Sequence, residues 1–357
     1  MSIEPGLVYI GTYTGGGSEG IYLCRLDAGT GALQLLGVAA AVDTPSYLAL
    51  DDARLRLYAV NEVSDFGGRA GGGVSSFAIH AASGELSPIN RVFSHGEAPC
   101  YLTLDPAGRH LFLVNYSGGN VVVLPIDEGG GLGEAADIIA HSGRSIHPER
   151  QTGPHPHAIV LDPSGDHAFV PDLGLDKVFQ YDVDRATGRL AANRQPWLAL
   201  APGSGPRHMV FHPNGRAAYV INELNSTIAA CAYDPRGGGL SIVQTVSTLP
   251  EGYNGANIAA DLHLTPSGNI LFGSNRGHNS IACYAVDGAT GALTATDRVH
   301  TQGETPRGFA VDPTGAWVLV ANQDSNTIVT FGIDEETSTI FPTGNVIHIP
   351  SPVCVKM

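Results

Sequence analysis

Residues 203–227 read GSGPRHMVFHPNGRAAYVINELNST and set Arg207, His208 and Glu223 inside a segment otherwise made of apolar strand formers around a Pro-x-Gly corner. A buried pair of strands has no use for these three groups. A guanidinium, an imidazole and a carboxylate together are suited to binding an anion and moving a proton. A second concentration lies upstream in HSGRSIHPERQTGPHPH, residues 141–157, with His141, Arg144, His147, Arg150, His155 and His157. Clustered histidines raise the question of zinc, but the spacing has no H-x-x-x-H helix and no cysteine partner. Anion binding by Arg144 and Arg150, with the histidines orienting or transferring protons, is the better reading, and no metal or cofactor is expected.

Composition narrows what can position these groups. The chain has 357 residues, 43% hydrophobic and 15% charged, enough for two domains or one large all-β domain. Gly 46 and Pro 23 favour the second, as do short β-branched or aromatic runs such as YLALDD and LFLVNY bounded by turn residues. No stretch sustains a 3.6-residue period. A net charge of −15 with only 19 Lys+Arg argues against a nucleic-acid partner, which demands a basic face. Cys24, Cys100, Cys231, Cys283 and Cys354 are odd in number and lack C-x-x-C spacing, which points to free thiols in a reducing compartment. MSIEPGLVYIGTY enters a strand with neither a charged nor an apolar leader region, and no 18 consecutive residues are apolar. The expectation is a cytoplasmic protein with no membrane partner, a monomer or weak homo-oligomer.

An internal repeat decides the architecture. The unit is Pro, an apolar strand, Asp-Pro-x-Gly, a second strand ending in Asn, a third strand and a Gly/Asp turn. It is plainest in PCYLTLDPAGRHLFLVNY (99–116), PHAIVLDPSGDHAFVPDL (156–173), PRHMVFHPNGRAAYVINE (206–223) and PRGFAVDPTGAWVLVANQ (306–323). The column Thr12, Asn61, Asn115, Asp172, Asn222, Asn275, Asn322 recurs at intervals of 49, 54, 57, 50, 53 and 47. Such a period matches a four-stranded propeller blade, so the chain is expected to form one domain, residues 1–357, a seven-bladed β-propeller. The first copy lacks its innermost strand, and the closing SPVCVKM has that strand's pattern; the C-terminus is expected to complete blade one. Turn chemistry accounts for the Asp-Pro-x-Gly corners, and backbone capping for the Asn column.

Two further columns vary where these repeat. The start of each blade's first strand lies beside the end of its second, so the position after the strand-opening proline and the position after the Asn column both ring one mouth of the central channel. The first ring holds Ser46, Cys100, His157, Arg207, Ala260, Arg307 and Val353; beside it stand Tyr47, Tyr101, Ala158, His208, Asp261 and Gly308. The post-Asn ring holds Tyr13, Glu62, Tyr116, Leu173, Glu223, Arg276 and Gln323. Arginines, histidines and acids converging on one opening point to a ligand site.

The motifs RQTGPHPH, PDLGLDKVFQYDVD, GPRHMVFHPNGRAAYVINELNST, GSNRGHNSI, TPRGFAVDPTG and ANQDSN resemble the seven-bladed propeller lactonase family, which includes bacterial 6-phosphogluconolactonases and fungal carboxymuconate-lactonizing enzymes. The resemblance runs over essentially the whole chain and implies a metal-independent lactonase or its cycloisomerase relative. It implies His157 in PHPH, Arg207 in GPRH, Glu223 in INE and Arg276 in SNRGH as the active-site groups. Ala158, Asp261 and Gly308 depart from the family's usual residues around the mouth, which bears on substrate identity.

The expected reaction is hydrolysis of an anionic sugar δ-lactone, foremost 6-phosphogluconolactone. Glu223 is expected as general base and His157 as acid, or the reverse, with Arg207 stabilising the oxyanion. Arg276, with Arg307, Arg150 or Arg144, is expected to hold the phosphate or carboxylate; His155 lies over the mouth, and His208 with Asp261 orients Arg207. Cyclisation of a muconate-like dicarboxylate and a non-catalytic binding scaffold are the alternatives.

Overall fold

In a computed structural model of the protein, which describes residues 4–357, the chain forms seven four-stranded antiparallel sheets and one small two-stranded hairpin. No helix occurs among the described residues. Six sheets follow chain order from the channel outward, as in blade five with Pro206–Phe211, Ala217–Asn222, Thr227–Asp234 and Gly239–Ser247. Blade one takes three strands from the N-terminal segment, beginning at Leu7–Thr12, and its innermost strand, Pro352–Lys356, from the other end of the chain. The expected closure is therefore present, and it pairs the sheet edge that an open ring would leave bare.

The second strands are the most apolar because both faces of each blade are covered. His110–Asn115 and Ala217–Asn222, for example, are buried at every position. An apolar cluster fills each of the seven interfaces between neighbouring blades; that between blades four and five gathers Phe169, Val178, Met209, Val220 and Ala229. The ring is thus stabilised blade against blade rather than around one central core.

The conserved-looking corners and caps have structural partners. In the Asp-Pro-x-Gly turn after blade three's first strand, Asp105 Oδ1 accepts from the backbone N–H of Arg109 and His110 at 2.6 and 2.7 Å, and Gly108 sits at φ 61°. That left-handed conformation suits glycine at little cost. Asn61, Asn115, Asn275 and Asn322 donate through Nδ2 to backbone carbonyls of Asp43, Ser94, Thr248 and Thr301. The Asn column pins each blade's end, as a cap should.

What positions the site is a recurring irregularity. In blade five Pro206 pairs with Asn222 but His208 with Ile221, so Arg207 is an extra, unopposed residue. Cys100, Arg307 and Val353 are skipped in the same way beside Pro99, Pro306 and Pro352. A β-bulge frees its extra residue from the ladder and re-aims it. Blade four departs further: its first strand is regular only over Val160–Leu161, with an isolated bridge from Pro156 to Asp172. The longer strand expected from residue 156 is interrupted where His157 enters the mouth.

Candidate active site at the channel mouth

The bulge carries Arg207 into the mouth from one strand of blade five, and the post-Asn position delivers Glu223 from the next. The backbone N–H of Glu223 donates to the carbonyl of Gly205 at 2.6 Å, which folds the end of the hairpin over the strand start. Arg207 Nε and Glu223 Oε2 then lie 3.0 Å apart. Arg276, in the same column of blade six, places Nη2 2.8 Å from Oε2 and also donates to the carbonyl of Ala259 at 3.0 Å. Arg150, reaching in from the 141–157 loop, places Nη2 2.5 Å from Oε1 and 3.3 Å from the Tyr116 hydroxyl. Three guanidiniums from three parts of the chain therefore share one buried carboxylate.

Electrostatics follow from that arrangement. Burial alone raises the Glu223 carboxyl, but Arg276, Arg207 and Arg150 outweigh it and hold it down at about 2. Both carboxylate oxygens are engaged by guanidiniums, which favours an arginine-organising role for Glu223 over the expected base role.

His157 is 5% exposed, and burial together with the charges of Arg207 and Arg307 holds it well below the ordinary histidine range, so the imidazole is neutral. Its Nδ1 lies 3.8 Å from Cys100 Sγ, and Nε2 has no protein hydrogen-bond partner among the described residues. Arg207 donates through Nη1 to the carbonyl of Ala260 at 2.7 Å, and Nη1 lies 3.2 Å from His208 Nε2. Because arginine only donates, His208 Nε2 accepts, and Nδ1 carries the proton toward Asp261 Oδ1 at 2.7 Å. Burial first, then Arg207, lowers His208 to about 4 against the pull of Asp261. Asp261 Oδ2 is met by His263 Nε2 at 3.1 Å. A chain of polar contacts thus runs from His263 through Asp261 and His208 to Arg207, whose Nη2 has no hydrogen-bond partner among the described residues.

Arg307, the bulged residue of blade seven, pairs with no carboxylate among the described residues and lies over the ring of Tyr13 at 5.2 Å. Glu62, in the same post-Asn column as Glu223, accepts from the Tyr13 hydroxyl at 3.1 Å and from Ser46 Oγ. Between Glu62, Cys100, His157, Arg207 and Arg307 the enclosed space is about 20 Å³, room for about one water. Deeper in the channel Tyr47 and Tyr101 stack at 4.0 Å, and Lys356 Nζ reaches the Tyr47 hydroxyl at 3.2 Å. A larger molecule must therefore stand on the mouth rather than thread the channel.

Not every residue of the 141–157 loop reaches this centre. Arg144 is exposed and makes no hydrogen bond or ion pair with a described residue. His141 is buried away from the centre, held between Asp172 Oδ2 at 2.7 Å and the Tyr181 hydroxyl at 2.9 Å. His147 Nδ1 accepts from the backbone N–H of Glu149 and Arg150 and orders the loop. His155 stacks on Tyr116 at 4.5 Å and bonds its carbonyl, bracing the tyrosine that touches Arg150. Ala158 is fully buried, and a Cβ at Gly308 would collide with the Val353 carbonyl of the closing strand. Sequence reasoning placed Tyr13 and Glu62 on the mouth ring without giving them a role, and did not reach His263 or Lys356. Glu62 had an available signal, since it stands in the column that supplies Glu223.

No group of three or more His, Cys, Asp or Glu side chains suited to a metal ion occurs among the described residues. The mouth instead combines four guanidiniums, a neutral imidazole and a water-sized polar space in a chain of net charge −15. That arrangement can hold an anion, stabilise a developing oxyanion and relay one proton.

Comparison with known proteins bears on which reaction this is. Residues 7–357 match the family model described as lactonase, 7-bladed beta-propeller. The chain is 34% identical over 348 residues to a 6-phosphogluconolactonase of Bacillus subtilis, covering 98% of this chain and 97% of that protein. It is 31% identical to a 6-phosphogluconolactonase of Formosa agariphila, covering 93% and 94%. The solved structure of a periplasmic gluconolactonase from Pseudomonas aeruginosa superposes with a TM-score of 0.91 at 35% identity, covering 98% of each chain.

Proposed function

The chain belongs to the seven-bladed β-propeller lactonase family, and from that membership and the geometry of the mouth we propose that it hydrolyses 6-phosphogluconolactone to 6-phosphogluconate. The observation that carries this reading is the water-sized space bounded by neutral His157 and by Arg207. A lactone standing on the mouth presents its carbonyl carbon to a water in that space. His157 Nε2 accepts the water's proton as the new C–O bond forms, and Arg207 Nη2 donates to the carbonyl oxygen as it becomes an oxyanion. Loss of such a donor commonly costs about 3–4 kcal/mol in the barrier. The tetrahedral adduct collapses by breaking the ring C–O bond, and His157 returns the proton to the departing ring oxygen. Acid–base help of this kind is worth roughly 10²–10⁴ in rate.

Glu223 holds Arg207, Arg276 and Arg150 in one cluster of charge, and Asp261 through His208 fixes the rotation of Arg207. The phosphate is held by Arg307, which forms no ion pair with a described carboxylate, and by Arg150, whose side chain is 36% exposed and freest to turn outward. A guanidinium fork suits a phosphate better than an ammonium does. Arg276, 9% exposed and bonded to Glu223, supports the oxyanion side rather than the phosphate. Nothing in this sequence of steps requires a metal or cofactor.

Among the described residues no helix is long and apolar enough to cross a membrane. The five cysteines are all buried and unpaired, which favours a reducing, cytoplasmic setting, although the Pseudomonas aeruginosa relative is periplasmic. We take residues 1–357 as one domain acting as a monomer or weak homo-oligomer, without nucleic acid. The reading is tested by following 6-phosphogluconolactone at neutral pH with wild type and His157→Asn. Wild type accelerates its loss and the variant is slower by at least about a hundredfold in kcat with KM little changed; equal rates for the two overturn the role of His157.

A further inference from the structure

We propose that Glu62 determines specificity by accepting hydrogen bonds from the ring hydroxyls of the lactone, while Arg307 beside it takes the anionic group. This rests on the lactonase reading above and names how the substrate is told apart from other anions. The charges of the mouth divide unequally. Glu223 engages Arg150, Arg207 and Arg276. Glu62 makes no ion pair with any of them, although it borders the same space as Arg307 and its charge is felt by that guanidinium. Its partners are the neutral hydroxyls of Tyr13, at 3.1 and 3.3 Å, and Ser46.

An ionised carboxylate offers about four acceptor positions, and Tyr13 and Ser46 use only part of them. The same tyrosine that donates to Glu62 carries Arg307 over its ring, so the two groups are held in one arrangement. A carboxylate whose oxygens contact hydroxyls rather than a guanidinium keeps acceptor positions open to further hydroxyl donors and disfavours a second anion beside it. A site built only to capture anions would gain nothing from it. The ligand class that satisfies both groups is a polyhydroxylated molecule with one anionic arm, as 6-phosphogluconolactone is, rather than a hydroxyl-poor dicarboxylate.

The test compares two competitive inhibitors, 6-phosphogluconate and inorganic phosphate, on wild type, Glu62→Gln and Arg307→Ala. Glu62→Gln is expected to raise the inhibition constant of 6-phosphogluconate roughly tenfold, since a hydrogen bond to a charged acceptor is lost. It is expected to leave that of inorganic phosphate unchanged or lower it. Arg307→Ala is expected to weaken both. Parallel weakening of both ligands by Glu62→Gln overturns the proposal, because a general disturbance of the mouth produces that pattern. Inhibition of wild type by neither ligand contradicts the underlying lactonase reading instead.

Discussion

Arg207 and Glu223 stand 3.0 Å apart with 3% of each side chain exposed, although fifteen residues of strand and turn separate them in sequence. The contact exists because a bulge frees Arg207 and the backbone bond from Glu223 to Gly205 returns the hairpin's end to its start. Removing the carboxylate leaves three guanidiniums facing one another in a buried setting. Glu223→Gln, which keeps the shape, is expected to destabilise the fold by about 3–5 kcal/mol in urea unfolding and to reduce kcat/KM at least about a hundredfold. Arg144→Ala, on the exposed part of the loop, is expected to change neither by more than about 0.5 kcal/mol.

The pH dependence of activity separates the free enzyme from the complex. Burial, Arg207 and Arg307 hold His157 well below 6.5 in the free protein, so its base form persists far into acid. A phosphate bound at Arg307 offsets part of that positive field and moves His157 upward. The acid limb of kcat, which reports the complex, is therefore expected at higher pH than the acid limb of kcat/KM, which reports the free enzyme. Measured profiles with coincident limbs contradict this assignment of the base.

Stability carries a separate signature from His208. Its pKa is about 4 in the folded state against 6.5 ordinarily, so the unfolded chain binds the proton first as pH falls. Folding stability contributed by this group is complete above about pH 6.5 and declines toward pH 4, by roughly 3 kcal/mol across the window. Glu223, held at about 2 against 4.5, adds a further loss between about pH 4.5 and 2. Urea unfolding from pH 7 to 4 is expected to show the first decline in wild type and a shallower one in His208→Gln.

Excess EDTA is expected to leave lactone hydrolysis unchanged, since every step assigned above uses arginines, a histidine and water. Activity lost to EDTA and restored by a divalent ion would require a different account of the mouth.

The ring was legible in the sequence because its determinants are local and repeated: the corner turns, the Asn caps and a strand pattern that recurs about every fifty residues, with SPVCVKM supplying the strand that blade one lacks. Arg207, His157, Glu223 and Arg276 were legible for the opposite reason, as departures from the repeat in columns that the topology brings to one opening. What sequence spacing does not carry is which charges neutralise one another. Glu223 reads as a free carboxylate until three arginines, two of them from other blades, are seen to enclose it. His141 and Arg144 read as mouth residues by proximity in sequence, yet Asp172 and Tyr181 draw one inward and solvent takes the other. Glu62 was legible only as a member of the mouth column it shares with Glu223; its contacts with Tyr13 and Ser46 needed the fold.

The most direct measurement is the initial rate of 6-phosphogluconolactone loss, set against the spontaneous rate in buffer, for wild type and Arg207→Ala at saturating substrate. The account predicts clear acceleration by wild type and a fall in kcat of roughly a hundred- to a thousandfold in the variant, as befits loss of the oxyanion donor. A wild-type rate no faster than buffer, or an Arg207→Ala variant as fast as wild type, would contradict it.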